Sequence, residues 1–491
     1  NPDNPSMTAL YLGHYLNYGL TLEELQSGKP IIGIAQTGSD LSPCNRHHLE
    51  LTKRVRDGII AAGGTCIEVP VHPIQETGKR PTAMLDRNLA YLSLVETLFG
   101  YPLDGVVLNI GCDKTTPALL MAAATVNIPA IALSVGPMLN GWFRGERTGS
   151  GTIVWKAREM LAAGEIDDDG FLELVSSSAT SVGYCNTMGT ASTMNSLAEA
   201  LGMQLPGSAA IPAAYRKRGQ ISYETGKRIV DMVWEDLTPE KIITPESTKN
   251  AVTVAMATGC STNAIIHLIA MARRAGVPLE LDDLDAVGRT TPVIANVRPS
   301  GKEYLMEDFF YAGGLRALMA QLGDKLDLSV TTVTGETLGE GLKGAVVYND
   351  DVIRPLSNPV YHEGSLAVLK GNLAPDGAVI KPAACDPKFH KHSGPAIVAN
   401  SYAELKTIID DIDYPMTPDH VLVLRNAGPQ GGPGMPEWGM IPMPKALMKD
   451  GHRDMVRLSD ARMSGTSFGA CVLHVAPESY VGGPLAFVEN G

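Results

Sequence analysis

The sequence predicts an α/β protein built from two parts, a large amino-terminal α/β domain with a parallel sheet and a smaller β-rich domain. Within the first 140 residues, short apolar runs alternate with segments of helical periodicity. After about residue 360 the chain changes to short β-prone runs separated by Gly, Pro, Asp and Asn. The length of 491 residues is enough for two or three domains and a large core.

The amino-terminal alternation predicts each element in turn. We expect strands at Pro30–Ala35, Thr65–Val71, Asp104–Ile110 and Pro129–Ser134, with helices at His47–Ala62, Ala83–Leu98 and Pro117–Thr125. Short apolar strands that alternate with helices are typical of parallel βαβ units. Residues 190–345 are richer in helix, with helices expected at Thr262–Ala275 and Met306–Leu322 and a further strand at Pro292–Val297.

The carboxy-terminal part has β-prone runs and few helical ones. We expect its strands at Ser365–Lys370, Ala378–Lys381, Ala396–Ala399 and His420–Leu424. The domain boundary is predicted within 355–375, dividing the chain into 1–362 and 363–491. Gly428–Gly434 (GPQGGPG) is too flexible for regular structure and is predicted to be an active-site loop.

Charge and composition exclude several classes of partner. The formal net charge of −13 argues against nucleic acid and anionic membrane surfaces. An anionic substrate would then need local positive charge, such as a metal ion. No apolar run reaches the roughly 18–20 residues that span a bilayer, and Asn1–Pro5 lacks the apolar core of a signal peptide. We therefore expect a cytoplasmic protein.

Three cysteines lie in turns that contain glycine, proline or asparagine: Cys44 in SPCN, Cys112 in GCDK and Cys185 in GYCN. The first two follow apolar strand-like runs and precede helix-like ones. Ligands bind at the carboxyl ends of strands in open α/β sheets. Three thiols gathered there indicate a soft metal centre, most plausibly an iron–sulfur cluster.

The other four cysteines leave the choice of ligands open. The total of seven, without a C-x-x-C pair, fits neither a disulfide framework nor a zinc finger. Cys66 and Cys471 lie in apolar runs and are expected to be buried. Cys260 and Cys385 also lie near turns, so composition alone does not choose three ligands among five. Location favours Cys44 and Cys112, because adjacent βα turns meet at one sheet edge.

Acidic residues near these turns could bind a hard cation. Asp113 directly follows Cys112, and a carboxylate at a strand end is a normal Mg²⁺ ligand. Lys114 has donors only, so it could ligate a metal only after carbamylation; otherwise it pairs with Asp113 or a substrate anion. Glu76 and Glu437 lie in turn-rich segments where a glutamate is usually solvated.

Hydroxyl-rich segments give two further candidates. Ser459–Ser467 (SDARMSGTS) is either a flexible turn or the source of a serine base, which would need a nearby cation to act as an alkoxide. It contains no G-x-S-x-G elbow. Gly259–Asn263 precedes an apolar helix, where Ser and Thr could cap the helix or free N–H groups could hold an anion.

Together these segments resemble the dihydroxyacid and sugar-acid dehydratase family. The resemblance runs from about residue 30 to the end of the chain. Its motifs are SPCN at 42–45, GCDKTTP at 111–117, STNA at 261–264, YNDDVIR at 348–354 and DARMSG at 460–465.

The resemblance implies cofactors and residue roles. It implies a 2Fe–2S cluster, 4Fe–4S in some members, held by Cys44, Cys112 and Cys185, and a Mg²⁺ held by Glu76, Asp113, carbamylated Lys114 and Glu437. Ser464 would be the base, with Thr466 beside it as a substrate or proton-relay contact. The implied fold is a large α/β domain followed by a β-barrel like the mobile domain of aconitase. A homodimer or homotetramer is expected from the family.

The residues around Cys185 and the HPIQETG string at 72–78 are similar to the sugar-acid branch, which acts on pentonates such as L-arabinonate and D-xylonate. The implied reaction removes water from such an anionic acid, or from D-gluconate, to give the 2-keto-3-deoxy acid. The alternatives are a dihydroxyacid dehydratase of valine and isoleucine synthesis and a non-catalytic iron–sulfur sensor. A nucleotide-binding protein is disfavoured because no G-x-G-x-x-G follows the first strand.

Two features depart from the family pattern. Cys260 stands where a glycine is usual before Ser-Thr-Asn, so an extra thiol is expected near the site. The chain also ends at Gly491, earlier than the family pattern leads us to expect.

Overall fold

A computed structural model describes residues 3–491 except residues 77, 80–81 and 438–440. Strands and helices alternate in its amino-terminal region. The strands there are β1 (Ile31–Gln36), β2 (Thr65–Pro70), β3 (Gly105–Ile110), β4 (Ala130–Ser134), β5 (Gly141–Phe143) and β6 (Glu146–Thr148). All seven elements predicted within the first 140 residues are confirmed, with ends shifted by one or two residues.

The helices of this region extend to residue 342. They are α1 (Pro5–Tyr15), α2 (Leu22–Gln26), α3 (His48–Ala61), α4 (Met84–Gly100), α5 (Thr115–Val126), α6 (Thr152–Ala162), α7 (Asp168–Ser176), α8 (Thr190–Ala200), α9 (Arg216–Trp234), α10 (Pro239–Ile242), α11 (Pro245–Thr258), α12 (Asn263–Arg274), α13 (Leu281–Thr290), α14 (Met306–Tyr311), α15 (Gly314–Leu322) and α16 (Leu338–Leu342). Single 3₁₀ turns occur at Leu16–Tyr18 and Gly323–Lys325. No described helix is both long enough and apolar enough to cross a membrane.

Four strands form a fully parallel sheet in the order β2-β1-β3-β4. Every residue of β3 and β4 is buried, as expected for apolar strands covered on both faces. The chain moves from β1 to β2 in one direction and from β2 to β3 in the other, so right-handed crossovers place α3 and α4 on opposite faces. The carboxyl ends of β1 and β3 therefore flank a topological switch point, where such sheets bind ligands.

Helices α3 and α9 pack unusually closely beside this sheet. A Cβ atom at Gly58 would clash with the carbonyl of Tyr223, and one at Gly226 would clash with the carbonyl of Val55. The two glycines thus allow the backbones to touch, which fixes α3 and the turn before it that carries Cys44.

Two predictions for the middle of the chain were wrong. Met306–Leu322 is not one helix but α14 and α15, because Gly313 at the junction has φ +118°, a left-handed conformation that ends the first helix. Pro292–Val297 is not a strand. Its residues Val293, Ala295 and Val297 each make an isolated bridge to a different partner.

The carboxy-terminal region contains a six-stranded mixed sheet. Its strands are β7 (Ala367–Gly371), β8 (Ala374–Ile380), β9 (Ala396–Ala399), β10 (Val421–Leu424), β11 (Arg457–Ser459) and β12 (Cys471–Ala476), in the order β7-β8-β12-β11-β10-β9. Strands β9 to β12 are parallel, whereas β8 is antiparallel to β12 and to β7. The four predicted strand runs are confirmed as β7 to β10. The pairings of the described residues form an open order, so the closed aconitase-like barrel stays a prediction.

Helices in this region are short. They are α17 (Tyr402–Asp410), α18 (Lys445–Lys449) and 3₁₀ turns at Pro382–Ala384, Pro387–His390, Ser479–Val481 and Pro484–Phe487. The largest hydrophobic cluster runs through both parts of the chain, joining Ile32 of β1 to Leu424 of β10. Residues 343–366 form no helix or strand, and the predicted boundary between residues 362 and 363 falls within them.

Candidate active site

All the predicted site residues except Cys185 follow the carboxyl ends of parallel strands in the two sheets. Cys44 follows β1, Glu76 follows β2 and Cys112 follows β3. In the second sheet, Glu437 follows β10 and Ser464 follows β11. The two sheets therefore present the same kind of edge to a shared space, which is the usual place for a ligand in parallel α/β sheets.

That space is a cavity of about 500 Å³. Eight of the nine predicted site residues line it, namely Cys44, Cys112, Cys185, Glu76, Asp113, Glu437, Ser464 and Thr466. The ninth, Lys114, is fully buried directly behind the carboxylates. Residues far apart in sequence are thus gathered as the sequence predicts, while their chemical roles stay predictions.

The first two cysteine turns are held together by Asn45. Its Oδ1 accepts a hydrogen bond from the backbone N–H of Cys112 at 2.6 Å, and its Nδ2 donates to Thr115 Oγ1 at 3.1 Å. A Cβ atom at Gly111 would clash with the Asn45 side chain, so only glycine fits there. The Cys44 N–H donates to Gln75 Oε1 at 2.7 Å. The thiols of Cys44 and Cys112 are therefore positioned by a polar network independent of any metal.

The third cysteine comes from a separate turn. Gly183 precedes it with φ +117°, and the buried Tyr184 anchors the turn by donating to the carbonyl of Ala209 at 3.1 Å. The Met138 N–H donates to the Tyr184 carbonyl at 2.8 Å. Cys185 is thereby brought to the same cavity as Cys44 and Cys112.

Proximity and burial both favour the neutral thiols. Contact with the Cys44 thiol, followed by burial, holds the pKa of Cys112 well above its ordinary value. Burial, followed by the nearby Cys44, raises the pKa of Cys185 to about 12. A soft metal that binds these sulfurs must displace their protons, as thiolate ligation requires. Three converging sulfurs fit the donor set of an iron–sulfur cluster.

Beside the thiols, the cavity is lined by a cluster of carboxylates. One oxygen from each of Glu76, Asp113 and Glu437 lies within 4.8 Å of the others. Lys114 Nζ donates to Asp113 Oδ2 at 2.8 Å and to Glu76 Oε2. Carboxylate oxygens are the ligands that Mg²⁺ prefers. As an ammonium group Lys114 stabilises the cluster instead of ligating, because it has no acceptor.

The pKa values of two of these carboxylates are shifted in opposite directions. Burial, reinforced by the Glu437 carboxylate, raises the pKa of Glu76 to about 8. Burial would also raise the pKa of Asp113, but the adjacent Lys114 ammonium overcomes it and holds the pKa well below its ordinary value. Crowded negative charge of this kind is the environment that a divalent cation would relieve.

Sequence reasoning missed Arg462, which anchors the cluster. This fully buried side chain donates to Glu437 and lies 3.6 Å from Glu76 Oε1. It also donates to the carbonyls of Met435 and Thr82, each at 2.8 Å. Arg462 therefore ties the carboxy-terminal loops to the amino-terminal region at the site itself.

Asn263 is a second residue that was missed. Its Nδ2 donates to Glu437 Oε2 and to the carbonyl of Met463, both at 3.1 Å. The Ser261 hydroxyl accepts a hydrogen bond from the Asn263 N–H at 3.1 Å, so this N–H at the start of α12 has a partner within the chain. Arg462 and Asn263 both lie inside motifs that carry the family resemblance, and that was the signal available in the sequence.

Ser464 and Thr466 form a hydroxyl pair at the cavity wall, with Oγ atoms 3.1 Å apart. A Cβ atom at Gly465 would lie 2.5 Å from Ser261 Oγ, so the loop packs directly on the amino-terminal region. The Trp155 Nε1–H donates to the Thr466 carbonyl at 3.2 Å. The pair is thus fixed from both sides, in the same cavity as the carboxylates.

Two predictions about neighbouring segments need correction. Cys260 does not face the cavity. It is fully buried, with Sγ 3.2 Å from Ser365 Oγ, because Gly259 ends the preceding helix at φ +74° and turns the thiol into the core. No residue of Gly428–Gly434 lines the cavity. That loop instead packs on the start of α4, where the Gly434 carbonyl accepts from the Met84 N–H at 2.6 Å.

Comparison with known sequences defines the class. Residues 29–341 match the amino-terminal family model of the dihydroxy-acid/6-phosphogluconate dehydratases, and residues 351–491 match the carboxy-terminal one. The chain therefore belongs to the dihydroxy-acid/6-phosphogluconate dehydratase family, whose members are hydro-lyases.

Its relatives include enzymes of sugar-acid metabolism. The chain is 51% identical to D-xylonate dehydratase of Caulobacter vibrioides over 100% of this chain and 84% of the relative. It is 50% identical to L-arabinonate dehydratase of Rhizobium leguminosarum bv. trifolii over 95% of this chain and 81% of that relative. A dihydroxy-acid dehydratase of Clostridium botulinum is 38% identical over 96% and 86%. The sugar-acid enzymes are thus more similar to this chain than that amino-acid enzyme is.

One solved structure also matches part of the chain. A probable glycerol dehydrogenase from Sinorhizobium meliloti covers 52% of this chain and 84% of its own, with 10% identity and a TM-score of 0.12. A similarity at this level bears on neither fold nor function.

Proposed function

We propose that this protein is an aldonic acid dehydratase. Its substrate is a pentonate such as L-arabinonate or D-xylonate, with D-gluconate as a further candidate, and its product is the 2-keto-3-deoxy acid. The observation that carries the proposal is the single cavity in which three thiols, three carboxylates and a hydroxyl pair converge. The roughly 50% identity to pentonate dehydratases supports the choice of substrate.

The donor sets support two cofactors. Cys44, Cys112 and Cys185 would hold an iron–sulfur cluster, and the family resemblance favours the 2Fe–2S type over 4Fe–4S. Glu76, Asp113 and Glu437, with Lys114 after carbamylation, would hold Mg²⁺. When bound, the two centres would supply Lewis acidity within the cavity, which would assist loss of the C3 hydroxyl and acidify the C2 proton.

The chain's own residues supply the proton chemistry. Ser464 Oγ takes the proton from C2, and Thr466, hydrogen-bonded to it, orients that oxygen and relays the proton to the departing hydroxide, so that water is released. Electron density from the broken C–H bond forms the C2–C3 double bond as hydroxide leaves C3. The resulting enol then tautomerises to the 2-keto acid. A serine oxygen acts as a base only with positive charge nearby.

Arg462 acts as a positioning residue. It fixes Glu437, which stands on a carboxy-terminal loop, against Glu76 from the amino-terminal region. The carboxylate cluster therefore exists only when the two parts of the chain are docked.

The division of the chain into domains and its oligomeric state belong to the same proposed function. We assign residues 1–362 and 363–491 to separate domains, the second an aconitase-like swivel barrel, in a homodimer or homotetramer. The six-stranded sheet and the segment without helix or strand at 343–366 support the division.

Two other functions are less well supported. A dihydroxyacid dehydratase of valine and isoleucine synthesis would use the same machinery, but the identity to such an enzyme is only 38%. A non-catalytic iron–sulfur sensor would use the three cysteines and would have no need for Ser464 beside a carboxylate cluster.

The proposal is tested by incubating anaerobically purified, Mg²⁺-loaded protein with L-arabinonate, D-xylonate, D-gluconate and 2,3-dihydroxyisovalerate. The readout is formation of 2-keto acid. Faster turnover of a sugar acid is expected. Turnover of dihydroxyisovalerate alone would move the protein to amino-acid synthesis, and inactivity on all four acids with an intact cluster would favour the sensor.

A further inference from the structure

One wall of the cavity carries an arginine that the proposed chemistry does not use. Arg158 is the sole lysine, arginine or histidine among the described residues that line the cavity. Lys114 and Arg462 lie behind the lining and are bound to carboxylates. Among the described side chains that line the cavity, Arg158 is therefore the one that carries positive charge.

The helix α6 sets the position of this arginine relative to the hydroxyl pair. Gly151, Val154 and Arg158 share the face of α6 that lines the cavity. At the start of the helix, a Cβ atom at Gly151 would lie 2.5 Å from Thr466 Oγ1. Arg158 lies seven residues further on, about 10 Å along the axis at ~1.5 Å per residue. Helical side chains generally lean toward the amino terminus of their helix, which is the direction in which Thr466 lies from Arg158.

The helix is held firmly in this orientation. Ile153 and Ala157, on another face, are buried against Leu174 of α7. The adjacent Glu159 makes an ion pair with Arg453 at 2.9 Å, in addition to the Trp155 contact with the Ser464 loop. These contacts fix the backbone of α6, and with it the point from which Arg158 projects, relative to the Ser464 loop.

Arg158 also marks the outer limit of the cavity. With Tyr402 it lines both this cavity and a neighbouring groove between α6, α7, α17 and α18. The carboxylates and thiols lie at the inner end, and the Nη1 nitrogen of Arg158 is buried at the outer one. A sugar acid whose carboxyl end lies among the inner groups would extend its remaining carbons toward Arg158.

We propose that Arg158 is a specificity-determining residue that donates hydrogen bonds to the substrate hydroxyls on C4 and beyond. This inference rests on the proposed function. A guanidinium has five N–H donors and no acceptor, so it suits a polyol chain and gains nothing from the methyl groups of a branched-chain acid. Arg158 thereby favours sugar acids over short or apolar 2,3-dihydroxy acids.

The test compares Arg158→Met with wild-type holoprotein on L-arabinonate and on D-glycerate, a 2,3-dihydroxy acid with no carbon beyond C3. For L-arabinonate, KM rises about tenfold or more, the effect of losing hydrogen bonds to a charged donor, while kcat falls much less. D-glycerate is measured either as a substrate or as a competitive inhibitor. Its KM or its inhibition constant, respectively, changes less than twofold. Arg158→Lys restores part of the L-arabinonate affinity.

Lys156→Met is the matched control. Lys156 lies on the same helix but is exposed and paired with Glu146, so its loss removes the same charge without touching the cavity. An equal KM increase in Lys156→Met, an equal loss for D-glycerate, or an unchanged KM in Arg158→Met would each overturn the inference. If Arg158→Met does not fold, the KM of Arg158→Lys for L-arabinonate is compared with that of wild type. A raised KM supports the inference and an unchanged KM overturns it. Wild-type turnover of pentonates tests the proposed function separately.

Discussion

Both sheets supply site residues from loops that follow the carboxyl ends of their strands. The loops differ in length and in the part of the chain to which they are hydrogen-bonded. In the amino-terminal sheet, Cys112 stands two residues after β3 and is followed at once by α5. In the carboxy-terminal sheet, Glu437 stands thirteen residues after β10, in a loop whose hydrogen bonds reach the other part of the chain. Its N–H donates to the Thr82 carbonyl at 2.9 Å.

This difference shows which contacts hold the site residues in position. The cysteine turns are fixed by neighbours within their own region, chiefly Asn45 and Tyr184. Glu437 and Ser464 owe their positions to docking, through Arg462, Asn263 and Gly465. The amino-terminal sheet is therefore expected to hold its thiols alone, whereas the catalytic hydroxyl is assembled only across both regions.

The largest effect is expected from the amino-terminal half. Cys112→Ser removes one of three thiols, so bound iron and turnover of L-arabinonate are both expected to fall to background. Cys471→Ser is the control, since Cys471 is buried in β12 away from the cavity. Iron content by absorption spectroscopy and 2-keto acid formation are the measurements. A Cys112→Ser protein with full iron content would remove Cys112 from the cluster.

The matching change in the carboxy-terminal half is Ser464→Ala. It removes the proposed base, so turnover is expected to fall about 10³-fold or more while iron content stays at the wild-type level. Ser467→Ala, three residues later in the same loop and outside the cavity lining, is expected to retain activity. Full activity in purified Ser464→Ala would contradict the assigned base.

The docking of the two regions is tested by Arg462→Met. Because the change leaves Glu437 buried without its cation, the free energy of unfolding is expected to fall by about 3–5 kcal/mol. Arg453→Met breaks the half-exposed pair with Glu159 and should cost about 1 kcal/mol or less. Urea unfolding measures both. Equal losses in the two variants would show that Arg462 does not anchor the regions.

The smallest effect concerns one buried histidine in each region. Burial lowers the pKa of His48, whose Nε2 donates to the Ile110 carbonyl at 2.8 Å, to about 3, and that of His474 also to about 3. Both values lie below the unfolded value of about 6.5. The stability that each neutral imidazole contributes is therefore present above about pH 6.5 and is lost as the pH falls toward 3.

His48→Gln and His474→Asn are expected to weaken this acid response. Each variant should lose about 2 kcal/mol less stability than wild type between pH 7 and pH 5. Asparagine is chosen for position 474 because the backbone there has φ +57°. Urea unfolding at the two pH values measures the change. A wild-type-like response in both variants would contradict the assignment of neutral buried histidines.

Much of the amino-terminal half is predictable from the sequence because its signals are local. The run GVVLNIGCDK contains the apolar residues of a buried strand, followed by a turn with a cysteine that could bind a metal. The break at Gly313 and the inward turn of Cys260 depend on glycines with positive φ, which a pattern of apolar residues does not reveal. Arg462 and Asn263 gain their roles from partners 25 and 174 residues away, so spacing alone does not identify them.

The most direct test of a shared cavity is an anaerobic crystal structure of Ser464→Ala holoprotein soaked with L-arabinonate. The account predicts iron at Cys44, Cys112 and Cys185, the acid's carboxyl end among the three carboxylates, and C2 about 3–3.5 Å from the position that Ser464 Oγ would occupy. Iron on other cysteines, or the pentonate bound outside this cavity, would contradict it.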